Sequence, residues 1–171
     1  MKLIYMILLC LLNFQAMSGM AYAAELAGLW QEYNDDTGKV EALIRIEKTG
    51  NGNYEGVIEK LIPDTVEKNA TRCTLCTGSL HNRPLLGLRI LSNLQRRDHH
   101  TFEGGEITDP DDGKVYRCKI SLSENGSTIE VTGYLNFNWI GHSEVWRRVR
   151  PEATYQSYPR QNRHAAYAHN G

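Results

Sequence analysis

Apolar and polar residues alternate with period two, broken at short intervals by glycine and asparagine, and this pattern constrains the chain most. From Val40 to Glu47, Val40, Ala42, Ile44 and Ile46 share one face, while Glu41, Arg45 and Glu47 share the other. Tyr116, Cys118, Ile120 and Leu122 alternate in the same way against Arg117, Lys119 and Ser121. Ile129, Val131 and Gly133 do so against Glu130 and Thr132. Such patterning builds strands with one buried face and one wet face. Between the runs stand Asp35-Asp36-Thr37-Gly38, Thr49-Gly50-Asn51-Gly52, Asp109-Pro110-Asp111-Asp112-Gly113 and Glu124-Asn125-Gly126. Each offers Gly or Asn where a hairpin turn needs positive φ. The expected fold is all-β, with strands near residues 28–34, 40–47, 53–61, 86–95, 101–108, 114–122, 128–135 and 143–149. The fourth of these also reads as a helix over Leu85 to Leu94. Eight short antiparallel strands suffice to close a small up-and-down barrel, which leaves no open sheet edge.

The two ends of the chain have a different grammar. Lys2, the apolar run Leu3 to Leu12 and Ala21-Tyr22-Ala23 have the layout of a secretory signal peptide over residues 1–23, with cleavage before Ala24. The run is too short to span a bilayer, which takes about 20 apolar residues. Leu9 stands before Cys10 where a lipoprotein signal needs a small residue, so a lipid anchor is not expected. The expected location is the periplasm of a Gram-negative envelope. Residues 24–149 then form the barrel domain. Residues 150–171, rich in Tyr, Gln, Asn, Arg and His without periodicity, form a disordered tail. An echo also runs inside the domain: Tyr54-Glu55-Gly56 resembles Phe102-Glu103-Gly104, and Gly38-Lys39-Val40 resembles Gly113-Lys114-Val115. Equivalent hairpins reusing one turn chemistry account for it.

Charge excludes some partners. The chain carries 19 Lys and Arg against 20 Asp and Glu, and its body from Ala24 to Val149 is near −4. Nucleic-acid binding would need a basic face, so no nucleic-acid partner is expected. No second apolar stretch approaches bilayer length, so the exported chain should carry no integral membrane segment.

Once Cys10 is removed, Cys73, Cys76 and Cys118 remain. In an oxidising compartment two of them should pair. A Cys73–Cys76 bond stapling the long loop Pro63 to Pro84 is the expected arrangement. A bond from Cys118 to one of the pair is an alternative, but strand parity turns Cys118 inward as a buried thiol. A zinc site using all three with His81 or His99 is a third reading, although no second C-x-x-C is present. A thioredoxin-like role would need the first cysteine at a helix N-terminus in a βαβ setting, which this loop does not offer.

Other candidate chemistry reads as turns. Asp35-Asp36 and Asp109 to Asp112 lack the spacing of a calcium loop, and His99-His100 follows Arg96-Arg97-Asp98 in a polar hairpin. No nucleophile elbow, zinc-protease helix motif or phosphate-cradling glycine loop appears. No cofactor is implied and no catalytic residue is assigned. The loop Asn136-Phe137-Asn138-Trp139-Ile140-Gly141 places aromatics before the last strand, where they either plug a barrel end or form a contact surface.

Gly28-Leu29-Trp30 at the first strand and Trp146-Arg147-Arg148-Val149 at the last resemble the signature of the calycins, the lipocalin-like barrels. In that family an Arg of the last strand packs across the Trp, and Arg148 matches that position. A longer ordered series adds Cys73-Thr74-Leu75-Cys76, Pro84-Leu85-Leu86-Gly87-Leu88, Gly104-Gly105-Glu106-Ile107, Asp109-Pro110, Gly113-Lys114-Val115-Tyr116 and Val131-Thr132-Gly133-Tyr134. From about Gly28 to Val149 the chain resembles the bacterial family called domain of unknown function 2147. The resemblance implies a lipocalin-like barrel and an envelope location, with no reaction to carry over. The functional expectation is a non-catalytic barrel that binds a small apolar or amphipathic molecule. Trp30, Tyr116, Phe137, Trp139 and Arg148 are its candidate binding residues. An envelope interaction protein using the aromatic and cysteine loops is the alternative.

Overall fold

Eight strands form where the alternation places them: β1 Gly28–Tyr33, β2 Val40–Lys48, β3 Tyr54–Leu61, β4 Arg89–Arg96, β5 Thr101–Thr108, β6 Val115–Leu122, β7 Thr128–Tyr134 and β8 Gly141–Arg148. The computed structural model describes residues 25–34, 37–63, 71–135 and 141–150. The expected signal peptide, Asp35-Asp36, residues 64–70, the aromatic loop 136–140 and the tail beyond Arg150 lie outside the described residues. The fourth segment is a strand rather than a helix, and it begins at Arg89 rather than near residue 86. Leu85 to Leu88 form a turn instead, in which the Leu88 amide donates to the Leu85 carbonyl at 2.9 Å. Each strand pairs antiparallel with the next, and β8 returns to β1, so the sheet is a closed up-and-down barrel.

Parity holds through the core. Ala42, Ile44, Ile46, Cys118, Ile120, Leu122, Ile129 and Val131 are all buried. The tips of the anticipated turns adopt the expected left-handed backbone, with φ 64° at Gly38, 88° at Gly52, 72° at Gly113 and 66° at Gly126.

Up-and-down topology gives the barrel two distinct ends. One end gathers the starts of β1, β3, β5 and β7, and it is packed solid. Trp30, Tyr54, Phe102, Leu26, Ile46 and Leu94 are fully buried there. Tyr54 and Phe102 meet edge to face, their ring centroids 5.0 Å apart at 82°.

The seam of β1 and β8 also lies at this end, and it is short, pairing only Trp30 with Arg148 and Gln31 with Arg147. Arg148 reinforces it. Its guanidinium carbon lies 4.1 Å from the Trp30 ring centroid. Its Nε donates to the Gly126 carbonyl at 2.6 Å, its Nη1 to the Ala27 carbonyl at 2.9 Å, and its Nη2 to the Glu25 carbonyl. The Trp30 indole N–H donates to the Leu26 carbonyl at 3.0 Å. Gly28 makes room for this lid, because a Cβ there would stand 2.3 Å from Arg148 Nη1. Arg147 points the other way and is exposed, 5.8 Å from the Tyr33 ring centroid.

Glu25 completes the plug. Its carboxylate accepts a 2.6 Å hydrogen bond from the Tyr54 hydroxyl and lies 3.4 Å from Arg96 Nη2. Burial pushes this carboxyl's pKa up, but the Tyr54 hydroxyl, the Arg96 charge and nearby backbone amides together hold it below the usual carboxylate range.

Two outcomes follow from the plug. Trp30→Ala should cost about 3–5 kcal/mol. Arg148→Ala should cost less, yet exceed the roughly 0.5 kcal/mol of a surface change. Their double mutant should show a coupling of about 0.5–3 kcal/mol. Arg147→Ala should be near neutral and additive with Trp30→Ala, and denaturant unfolding of the three single and two double variants measures all of this. The second outcome concerns acid. With its folded pKa depressed, Glu25 contributes stability above the unfolded carboxylate pKa of about 4.3 and loses it as pH falls through the lower folded value. Glu25→Gln should flatten that part of the acid-unfolding profile. An unchanged profile would mean that the carboxylate is not linked to folding.

Candidate functional site

The opposite end is hollow. A cavity of about 660 Å³ opens between the ends of the strands, within the size range of small-molecule sites. Its floor is apolar and includes Ile44, Ile58, Ile90 and Val131, with Trp146 beside them. Trp146 is itself buried, and its indole N–H donates to Glu144 Oε2 at 3.0 Å. His142 Nε2 lies 3.6 Å from the other oxygen of the same carboxylate. These three come from alternate positions of β8, so one strand presents all of them on one face, Trp146 buried and His142 exposed at the rim.

Tyr116 and Thr108 stand in the lining contributed by β5 and β6. The Tyr116 hydroxyl donates to the Asp112 carboxylate, which also accepts from the Lys114 backbone N–H at 2.8 Å and from Lys114 Nζ at 3.0 Å. The hydrogen bond to Asp112, above all, pushes the Tyr116 phenol's pKa up. Burial would raise the Asp112 carboxyl's pKa, but the Tyr116 and Lys114 hydrogen bonds outweigh it and hold it low. The 109–113 turn thus spends one carboxylate on fixing a side chain of the cavity.

The described part of the cysteine loop, residues 71–84, leads directly into Leu85 of the cavity lining. Cys73 and Cys76 are disulfide-bonded, with their Cα atoms 5.3 Å apart. Backbone bonds from the Cys73 amide to the Arg83 carbonyl at 2.9 Å and from the Leu85 amide to the Thr71 carbonyl at 2.9 Å zip residues 71–85 into a narrow hairpin. It rests on the 109–113 turn so closely that a Cβ on Gly113 would lie 2.0 Å from the Leu75 carbonyl oxygen. Leu85, the residue after the loop, enters the cavity lining. Cys118 is a free thiol buried in the barrel, and burial pushes its pKa up to about 12. With the Cys73 and Cys76 sulfurs joined to each other, the alternatives of zinc ligation and of a bond to Cys118 fall away.

Of the candidate binding residues, Tyr116 lines the cavity. Trp30 and Arg148 sit together in the plug at the other end and are not in the lining. Phe137 and Trp139 lie outside the described residues. The sequence reading missed Glu32, Glu144, His142 and Trp146, all of which line the cavity. Parity held the signal: Glu32 is two residues beyond the inward Trp30, and Glu144 and His142 are two and four residues before Trp146.

An eight-stranded antiparallel up-and-down barrel, closed at one end by an Arg-on-Trp lid and hollow at the other, is a lipocalin-like barrel. Protein HP1028 from the human pathogen Helicobacter pylori, described as belonging to the lipocalin family, has the same fold. It matches at a TM-score of 0.66 and 24% sequence identity, over 77% of this chain and 88% of its own. Residues 28–148 match the family described as uncharacterized protein conserved in bacteria, DUF2147, and the chain belongs to that family. No curated protein matches it.

The staple has a measurable consequence. Replacing Cys73 and Cys76 with serine should cost about 2 kcal/mol, since the closed loop is short. Alkylation should modify Cys118 only after unfolding. A peptide joining Cys118 to either loop cysteine would contradict this arrangement.

Proposed function

We propose that this chain is an exported, non-catalytic binding protein that holds a small apolar or amphipathic molecule in the cavity at its open end. The observation that carries the reading is the contrast between the two halves of one barrel. One end is filled by aromatic side chains, while the other keeps a cavity of about 660 Å³ over an apolar floor. Packed interiors rarely leave such a volume without a use. Export agrees with the signal-peptide grammar of residues 1–23 and with a disulfide, which persists in the periplasm and is rare in the cytosol. Among the described residues, no helix is long and apolar enough to cross a membrane.

A second reading has its own observation. Leu75 on the cysteine loop and Leu86 in the turn that follows it are 59% and 60% exposed. Apolar side chains held out on a stapled loop suit a contact with another envelope component.

Native mass spectrometry of the protein purified from its own periplasm tests the first reading. The chain should begin at Ala24 and carry a co-purifying, lipid-like mass. Ala42→Trp, which fills the cavity from β2, should lose that mass and remain folded. An empty wild-type protein, or equal retention by the filled variant, would refute the cavity reading.

A further inference from the structure

Thr108 is the one polar side chain that is buried among the described residues, 8% exposed, and it stands in the cavity lining. It ends β5, on the last rung before the 109–113 turn, where Ile107 pairs with Tyr116 and Thr108 with Val115. Its backbone belongs to the ladder, yet its hydroxyl has no hydrogen-bond partner among the described residues. Nor is that hydroxyl sealed off, since Arg96 Nε is the only sealed side-chain nitrogen or oxygen without a bond there. Buried hydroxyls are ordinarily satisfied, so one left open in a cavity wall is free to bond whatever the cavity holds. Tyr116 complements it from the same lining. Its hydroxyl gives its only proton to Asp112, which leaves the phenol oxygen able to accept.

Charge narrows the group that suits this pair. The described lining holds neither Lys nor Arg, so an anionic head would enter without a counter-charge. The lining carboxylates are each engaged inside the protein. Glu144 accepts from the Trp146 indole with His142 beside it, Glu41 accepts from Asn34 at 2.9 Å, and Asp109 from the Asp111 amide at 2.8 Å. Glu32 and Asp111 have interactions of their own as well. An ammonium head would have to displace such bonds to gain an ion pair, and it cannot accept from Thr108. A hydroxyl needs no counter-charge, and it both accepts and donates.

We propose that the cavity selects uncharged amphiphiles headed by a hydroxyl, which accepts from Thr108 and donates to the Tyr116 phenol oxygen while the hydrocarbon body lies against Ile44, Ile58 and Ile90. This rests on the binding reading above and narrows it to one ligand class.

A head-group series at constant tail length separates the two claims. 1-Octanol, octylammonium and octanoate are titrated calorimetrically into the full exported chain at neutral pH. Octanol should bind about tenfold or more tightly than either charged compound, because neither of those buries its head without an unpaired charge. Thr108→Val, which keeps the shape and removes the hydroxyl, should weaken octanol about three- to tenfold, the margin of one hydrogen bond. Thr108→Ser, which keeps the hydroxyl, should hold the wild-type affinity. If Thr108→Val does not fold, Tyr116→Phe and the wild-type series still decide the matter, with the same loss of octanol affinity expected. Octylammonium or octanoate binding as tightly as octanol, or octanol binding unchanged in Thr108→Val, would overturn the hydroxyl selection and leave the cavity reading standing. Failure of all three compounds to bind would overturn both.

Discussion

The barrel depends on one junction, where its first and last strands meet. Only two residue pairs join β1 to β8, whereas neighbouring hairpins share long ladders. A seam that short leaves backbone groups to be satisfied by other means. Arg148 supplies them, covering the Trp30 ring and donating to the carbonyls of Glu25, Ala27 and Gly126. One side chain therefore ties the segment before β1, the β6–β7 turn and the last strand together. Lysine could not replace it, because a single ammonium lacks both the planar face for the indole and the fork of donors. Gly28 belongs to the same device, since any side chain there would occupy the space of the guanidinium.

Closure at one end permits openness at the other. The aromatic plug of Trp30, Tyr54 and Phe102 anchors β1, β3 and β5 where they start. Tyr54 and Phe102 explain the internal echo in the sequence, for equivalent positions on two hairpins deliver rings that meet each other. The second echo has a matching cause. In both open-end turns the residue before the glycine hairpin pairs with the lysine after it, Asn34 with Lys39 and Asp109 with Lys114, each at 2.9 Å. With the plug closing one end, the open half can hold polar side chains on its inner face, and there Glu144 accepts from the indole of the buried Trp146.

That division also decides what the sequence could reveal. Strand positions, turn glycines, the inward thiol of Cys118 and the Cys73–Cys76 bond were legible, because alternation, turn chemistry and short spacings are local signals, whereas the Trp30–Arg148 pairing came only from the resemblance to the calycin signature. The cavity was not. Alternation assigns charged residues to the wet face by default, and Glu32 and Glu144 look like ordinary surface residues under that rule. Only counting parity from the buried tryptophans turns them inward, and only the topology shows that β1 and β8 are neighbours there. Asp109 to Asp112 misled in the same manner. They form the turn that their composition announces, yet Asp112 also fixes Tyr116 in the lining through a hydrogen bond that no spacing rule specifies.

The cysteine loop joins these two levels. A connection of its length would ordinarily fray, and a mouth edged by fraying chain gives a cavity no defined shape. Here the disulfide, the Arg72–Pro84 bridge and the approach of the Leu75 carbonyl to Gly113 fix the loop against the same turn that orients Tyr116. Leu85 enters the lining from one side of that contact, and Asp109 and Pro110 enter it from the other. The staple thus acts on the shape of the site as well as on the stability of the barrel. A bond closing so short a loop removes less chain entropy than a longer one would, but it also steadies the contact beside Leu85 before any ligand arrives, and a pre-formed wall lowers the ordering cost of binding.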